Sequence, residues 1–369
     1  MARIAILIGP HTSFRNVSFQ LAHCLELAGH EVIITSDTDC TTASRQESLS
    51  FAHLNPDGDD TPPKTEGIVS KLLQYPGRLL AYQRRRNKAL KIRLEKLSRL
   101  DQFIEAHRPD VLLVDVEEND YIIAAHARDL RFALLSNFIG LHKAPGLPPT
   151  HTAIVPGHGW SGSSIGIEWA WLVYRVTRWF GFMQDRLMGA GLSEVQQLRD
   201  FADYVGFPHR RELLLYHWLM PVVYRTIPVL MMHAHEFDFP HEPYPTVHYA
   251  GPMINVSQRA SGRPENAELT ALLEKHNTPA HDRMLIYCTF GTFIRQNDLD
   301  FIVRLVRAVE GQANYDVVFG LGKRHTAEAI RHASGTDLPN NFYIFDWVPQ
   351  LQVLEKADCA VHHGGTSTV

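Results

Sequence analysis

RIAILIGPHTSFRNVSFQLAHCLELAGHEVIIT (residues 3–35) carries a strand, a loop, a helix and a second strand, in that order. Residues 3–8 are an apolar run of strand length that stops at Gly9-Pro10. Residues 17–27 read as a helix closed by Gly29. Residues 31–35, rich in β-branched side chains, form the next strand. Strand, helix, strand is a βαβ unit, which favours a doubly wound parallel sheet. The pattern recurs: a long helix at about 79–107, a strand at 109–115, another helix, and a strand at 132–136. The polar segment 41–65 carries Pro and Gly and reads as loop.

The carboxyl half repeats the pattern. Residues 284–290 are a strand with Gly291 and Thr292 at its end, 299–312 a helix, and 315–320, 342–345 and 359–362 three further strands. Between the halves Pro240, Pro243, Pro245, Gly251, Pro252 and Pro264 cluster. The expected fold is α/β, with two Rossmann-like domains facing a cleft: residues 1–240, a linker at 241–265, and residues 266–369. Ligands of such sheets bind outside the carboxyl ends of the strands. Residues 142–164 are rich in Pro, Gly, Ser and His, and 165–188 hold Trp169, Trp171, Tyr174, Trp179, Phe180 and Phe182. Apolar positions on more than one face predict a helix buried in a cleft or packed under a lid.

The 369 residues allow two or three domains, and 45% apolar content is enough for full cores. A net charge of −4 gives no general attraction to nucleic acid or anionic lipid. Cys24, Cys40, Cys288 and Cys359 form no CxxC pair, which argues against a zinc site or a disulfide scaffold. The first ten residues are too short an apolar run for a signal peptide, and no stretch reaches membrane-spanning length. The expectation is a cytoplasmic protein. Basic residues at 84–99 alternate with Leu90, Leu94 and Leu97 at helical spacing, so they read as the solvated face of an amphipathic helix, with peripheral membrane contact at most.

WVPQLQVLEKADCAVHHGGTST (residues 347–368) holds the richest chemistry. Trp347 follows a strand, where an indole can stack on a base. Gln350 offers both a donor and an acceptor. His363, Gly364 and Gly365 follow the next strand. Glycine lets backbone approach a ligand closely, and a helix opening at Thr366, Ser367 and Thr368 would aim N–H groups at a phosphate. Each feature also has a plain structural role: Trp347 in a core, His363 as a cap, Gly364-Gly365 as a turn. Order and spacing together favour the ligand.

This stretch resembles the donor-binding signature of family 1 glycosyltransferases, the UDP-sugar-dependent enzymes of GT-B fold. "LELAGHEVIITSD", "RPDVLLVDV" and "FPHEPYPTVHYAGPM" followed by "YCTFGTF" extend the resemblance over nearly the whole chain, toward the bacterial macrolide and zeaxanthin glucosyltransferase branch. It is weakest at 143–216, where acceptor-binding segments vary. The resemblance implies that Trp347 stacks on uracil and that the backbone of Val348 and side chain of Gln350 face the nucleoside. It implies that His363 contacts the diphosphate, with Gly364, Gly365, Thr366, Ser367, Thr368, Gly291 and Thr292 closing round it. No metal or other cofactor is implied, because a helix terminus and His363 neutralise the leaving group. His233, His235 and His241 match no familiar ligand spacing.

The family's general base is a His in the first loop, oriented by an Asp. Aligning the helix puts Phe14 at that position, and Phe takes no proton. His11 is expected to serve instead, oriented by Asp115, with Glu117, Glu118 or Asp120 as substitute bases. His11 also reads as an exposed loop residue, and Asp115 as a helix cap. Phe14, Trp169 and Trp179 are then expected on the acceptor side.

The family signature continues past the glycine turn with a ribose-binding Glu and an Asp-Gln pair, which this sequence lacks. The second domain is expected to be incomplete, and the isolated chain to bind UDP poorly and turn over nothing. The expected activity of the parent is an inverting transfer of a hexose, glucose first, from a UDP-sugar to a hydroxyl of a lipophilic acceptor. The alternatives are a catalytically impaired nucleotide-sugar-binding relative or a GT-B UDP-sugar epimerase. The loop Gly9-Pro10-His11 lacks the GxGxxG of a dinucleotide oxidoreductase.

Overall fold

In the computed structural model, the described residues are 1–55, 78–188, 193–218, 222–254, 266–278, 281–290, 298–321, 327–334, 338–362 and 364. They fall into two compact units, Met1–Ile254 and Asn255–Val369.

The first unit is built on a seven-stranded sheet in the order β3-β2-β1-β4-β5-β8-β9, parallel throughout. Its strands are β1 (Arg3–Leu7), β2 (Glu31–Ser36), β3 (Ser50–His53), β4 (Val111–Asp115), β5 (Phe132–Ser136), β8 (Val229–Met231) and β9 (Val247–Tyr249); β6 (Leu213–Leu215) and β7 (Val222–Tyr224) make a separate antiparallel pair. The helices are α1 (Thr12–Leu27), α2 (Thr41–Gln46), α3 (Arg78–His107), α4 (Asn119–Ala127), α5 (Ser164–Met188), α6 (Glu194–Val205) and α7 (His209–Glu212). Both faces of the sheet are covered, and the alternation of side chains along β1 shows how. Ile4, Ile6 and Ile8 point to one side and pack with Phe14, Val17 and Leu21 of α1. Ala5 and Leu7 point to the other and join Leu97, Leu100 and Phe103 of α3 and Tyr121 to Ala125 of α4.

The second unit has a four-stranded parallel sheet in the order β12-β11-β10-β13: β10 (Met284–Thr289), β11 (Tyr315–Gly320), β12 (Phe342–Phe345) and β13 (Cys359–His362). Its helices are α8 (Ala267–His276), α9 (Asp298–Val309), α10 (Ala327–Ser334) and α11 (Gln350–Lys356). Again neighbours split between faces. Val317 and Phe319 meet Ile302 and Val306 of α9, whereas Val318 meets Leu269 and Leu272 of α8 and Val353 of α11.

Four expectations are corrected. Residues 41–54 are not loop: α2 and β3 lie there, because Leu49 and Leu54 are buried and β3 adds an edge to β2. Residues 241–254 belong to the first unit, since β9 pairs with β8. Helix α1 begins at Thr12, five residues before the expected start, so Phe14 lies in its first turn. Helix α5 is buried on one face only: Ile167, Trp171 and Tyr174, at helical spacing, are buried, and Ile165, Trp169, Leu172, Val176 and Phe180 are exposed. Among the described residues no helix is long and apolar enough to cross a membrane.

Candidate active site

In the second unit one register line marks the carboxyl edge of the sheet. Phe345 pairs with Gly320, Gly320 with Thr289, and Thr289 with His362. Trp347 stands two residues past one end of this line and Gly364 two past the other. Three strand spacings of about 4.8 Å separate the two ends, roughly 14 Å. Trp347 is 41% exposed and belongs to neither buried cluster of its unit. Its neighbour Val348 is buried in the cluster with Leu272 and Val318, which fixes the segment to the core. Gly320 permits that seat, because a Cβ there would lie 3.1 Å from Val348 Cγ2. Gln350 opens α11 behind Pro349. Gly364 has φ +76°, a left-handed conformation suited to glycine, and donates its N–H to His362 Nδ1 at 3.1 Å. His362, which the sequence did not single out, thus pins the turn. Gly291, Thr292, His363, Gly365, Thr366, Ser367 and Thr368 lie outside the described residues.

In the first unit the ends of β1 and β4 meet at Asp115. This carboxylate is fully buried and accepts from the backbone N–H of Gly9 at 3.1 Å and of Glu117 at 3.0 Å. A Cβ on Gly9 would come within 2.7 Å of Asp115 Oδ2, so only glycine fits there. Burial pushes the Asp115 carboxyl up to about 8, against the pull of its two N–H donors. His11 stands at the N-cap position of α1 without a side-chain cap bond, and the Nε2 of its half-exposed ring lies 3.8 Å from Glu117 Oε2. The carboxylate at ion-pair distance from His11 is therefore Glu117, two residues beyond the one expected, while Asp115 spends both oxygens on the loop backbone. Burial raises Glu117 above the usual carboxylate range, and His11 opposes that rise.

The other acids are engaged elsewhere. Lys96 lies 3.5 Å from Asp37, 3.7 Å from Glu118 and 3.6 Å from Asp120, and Arg99 3.6 Å from Asp37. Arg93 comes within 2.8 Å of Asp120 without hydrogen-bond alignment. Tyr121 donates to Asp37 at 2.6 Å. Burial lifts Glu118 to about 7, and the Lys96 ammonium holds it from rising further. So the basic face of α3 is only partly solvated. Lys91 faces water, but Arg93 and Lys96 neutralise acids brought in from β2 and α4. Arg86 similarly grips Asp200 of α6 through two bonds of 2.7 and 2.9 Å.

Of the residues expected on the acceptor side, Trp169 and Trp179 are 57% and 49% exposed on α5. Phe14 is 1% exposed and packs against Ile6 and Ile8, so it offers no face to a ligand; the early start of α1 turns it inward.

Comparison with solved structures places this architecture. The glycotransferase of kitacinnamycin superposes over 99% of this chain and 76% of its own, with TM-score 0.62 at 18% identity. Glycosyltransferase VinC, solved in complex with dTDP, superposes over 99% of this chain and 77% of its own, with TM-score 0.52 at 20% identity. This is the GT-B glycosyltransferase fold. No family model matches the chain. In sequence, 88 residues are 34% identical to the uncharacterized UDP-glucosyltransferase YdhE of Bacillus subtilis (strain 168), covering 24% of this chain and 20% of that protein. The match thus spans about a fifth of the relative.

Proposed function

We propose that this chain acts in an inverting glycosyltransferase that moves a hexose, glucose first, from a UDP-sugar to a hydroxyl of a lipophilic acceptor. The observation that carries the reading is the carboxyl edge of the second sheet. An exposed indole and a left-handed glycine turn stand about 14 Å apart on one strand-end line, matching an extended nucleoside diphosphate with its base on Trp347 and its phosphates toward Gly364. The likeness to YdhE supports a UDP-sugar, and the dTDP bound to VinC makes a thymidine diphosphate sugar the rival donor.

His11 takes the proton of the acceptor hydroxyl, and Glu117 stabilises the imidazolium that forms. The acceptor oxygen then bonds to the anomeric carbon from the face opposite the diphosphate, whose bond to that carbon breaks and keeps the electron pair. The exposed apolar face of α5, with Trp169 and Trp179, suits a lipophilic acceptor. One observation favours a non-catalytic nucleotide-sugar-binding relative: both oxygens of Asp115, the carboxylate expected to orient the base, accept from backbone N–H groups. Incubation with UDP- and dTDP-hexoses, following nucleotide release with and without a panel of hydroxylated apolar acceptors, separates the two. Acceptor-dependent release supports transfer; saturable nucleotide binding with no release under any condition supports the non-catalytic relative.

A further inference from the structure

A second cluster of titratable groups lies at the opposite end of the second unit's sheet. Asp316 is the second residue of β11, four residues and about 13 Å of strand before the carboxyl edge at Gly320. Its carboxylate is fully buried. Around it stand His276, the last residue of α8, and His281, in the segment leading to β10. His276 Nε2 lies 3.1 Å and His281 Nε2 3.4 Å from the same oxygen, Asp316 Oδ2. One ligand atom from each of the three lies within 4.8 Å of the others.

Hydrogen bonding accounts for only part of this arrangement. The His276 contact is an aligned bond. His281 Nε2, although buried and 3.4 Å from a carboxylate oxygen, has no hydrogen-bond partner, whereas Asp316 Oδ1 already faces the Arg283 guanidinium. Two imidazole nitrogens thus stand against one carboxylate oxygen, and only one of them is hydrogen-bonded to it. Unpaired buried polar atoms are costly, and a cation among them removes the cost. The two nitrogen-to-oxygen spacings suit one cation, and the two imidazoles offer nitrogens within 4.8 Å of each other. Tetrahedral zinc with Zn–N and Zn–O bonds of about 2.0–2.2 Å sets neighbouring ligand atoms about 3.3 Å apart, between the two distances found here. Arg283 Nη2 sits 3.0 Å from Asp316 Oδ1 and donates to Tyr315 O at 2.7 Å. It orients the carboxylate from behind, as outer partners of zinc-binding carboxylates do.

We propose that His276, His281 and Asp316 form a Zn²⁺ site, with water as fourth ligand. The metal joins the end of α8, the approach to β10 and the start of β11. Leu269 and Leu272 of α8 pack in the cluster that seats Val348, so the site acts as a brace for the second unit and takes no part in sugar transfer. The expectation of no metal rests on the cysteine spacing and the leaving diphosphate, and this site, made of two His and one Asp at the other end of the strands, departs from it.

The test is a calorimetric titration of ZnCl₂ into the chelator-stripped 369-residue chain, with Co²⁺ as a spectroscopic probe. One equivalent of saturable binding is expected, with intense visible bands from four-coordinate Co²⁺. The thermal midpoint should rise by about 5–10 °C at a hundredfold excess over Kd. His281→Ala and Asp316→Asn should each abolish the binding event and the Co²⁺ bands, while His233→Ala keeps both. Circular dichroism shows that each variant is folded. Asp316→Asn preserves shape and serves if His281→Ala does not fold. The chain has 21 His, so binding elsewhere is a real rival. No saturable binding, or binding that survives both His281→Ala and Asp316→Asn, overturns the proposal.

Discussion

Trp347→Ala is the sharpest probe of the nucleotide edge. A Trp presents up to about 250 Å² of surface. The 41% of Trp347 left open therefore amounts to about 100 Å². Covering that area with a base stabilises the complex by about 2.5 kcal/mol at about 25 cal/mol per Å². This falls inside the range of about 1–3 kcal/mol for removing an aromatic ring from a stacked base. The expected outcome is a Kd for UDP raised about 5- to 150-fold, read by calorimetry on parent and variant. Trp347→Phe keeps a smaller ring and should recover part of the loss. Val348 holds the segment in the core independently of the indole, so the urea midpoint should move little. A folded Trp347→Ala variant that binds UDP as tightly as the parent refutes the platform role.

His11→Ala should lower transfer by about 10²- to 10⁴-fold and remove the acidic limb of the pH–rate profile, with UDP affinity unchanged; full activity would assign the proton to another group. Gly9→Ala puts a Cβ 2.7 Å from Asp115 Oδ2 and strains the bond that ties β1 to β4. A urea titration should show a loss of about 2–4 kcal/mol, and an unchanged midpoint would mean the loop yields freely. The raised carboxyls of Asp115 (about 8) and Glu118 (about 7) keep protons in the folded chain that the unfolded chain has already released, so their stabilisation is full at low pH and is lost as pH rises through those values. His142 and His217, held below the ordinary imidazole value by burial, act in the opposite sense below pH about 6.5, which makes pH 6.5–8.5 the window to read. Stability should fall by about 2 kcal/mol across it from Asp115 alone, and Asp115→Asn should reduce the slope; a slope that Asp115→Asn leaves unchanged would show that the carboxylate is ionised throughout.

Strands with continuous apolar runs were legible to within a residue or two. Residues 315–320, 342–345 and 359–362 match β11, β12 and β13, because β-branched and aromatic residues bounded by polar turns leave one reading. The three-residue strands β8 and β9 carry too little pattern, and the prolines around β9 read as linker; the pairing of β8 to β5 and of β9 to β8 defines them. The first turn of α1 escapes a reading from sequence because Thr12, Ser13, Arg15 and Asn16 surround Phe14, its one buried apolar residue before Val17. At the candidate site, the position of Trp347 and Gly364 just past strand ends is legible from motif order. The exchange of Asp115 for Glu117 beside His11 was not, because it depends on how the turn after β4 folds back. Nor could the sequence pair Lys96 with Asp37, Glu118 and Asp120, since those partners lie far apart along the chain.

Asp115 grips backbone on both sides of it, and backbone N–H groups are the same whatever side chain follows. The shape of the loop at 9–11 and of the turn at 115–117 is thus set by one aspartate and one glycine, not by the residues that would do chemistry there. The chemistry of Glu117 rides on a frame to which that residue lends only its backbone N–H, and His11 follows in the same loop. Substitutions at either position can change which proton is moved, or whether one is moved at all, while the frame keeps its form. A lineage carrying this clasp is free to gain, lose or relocate its base one residue at a time.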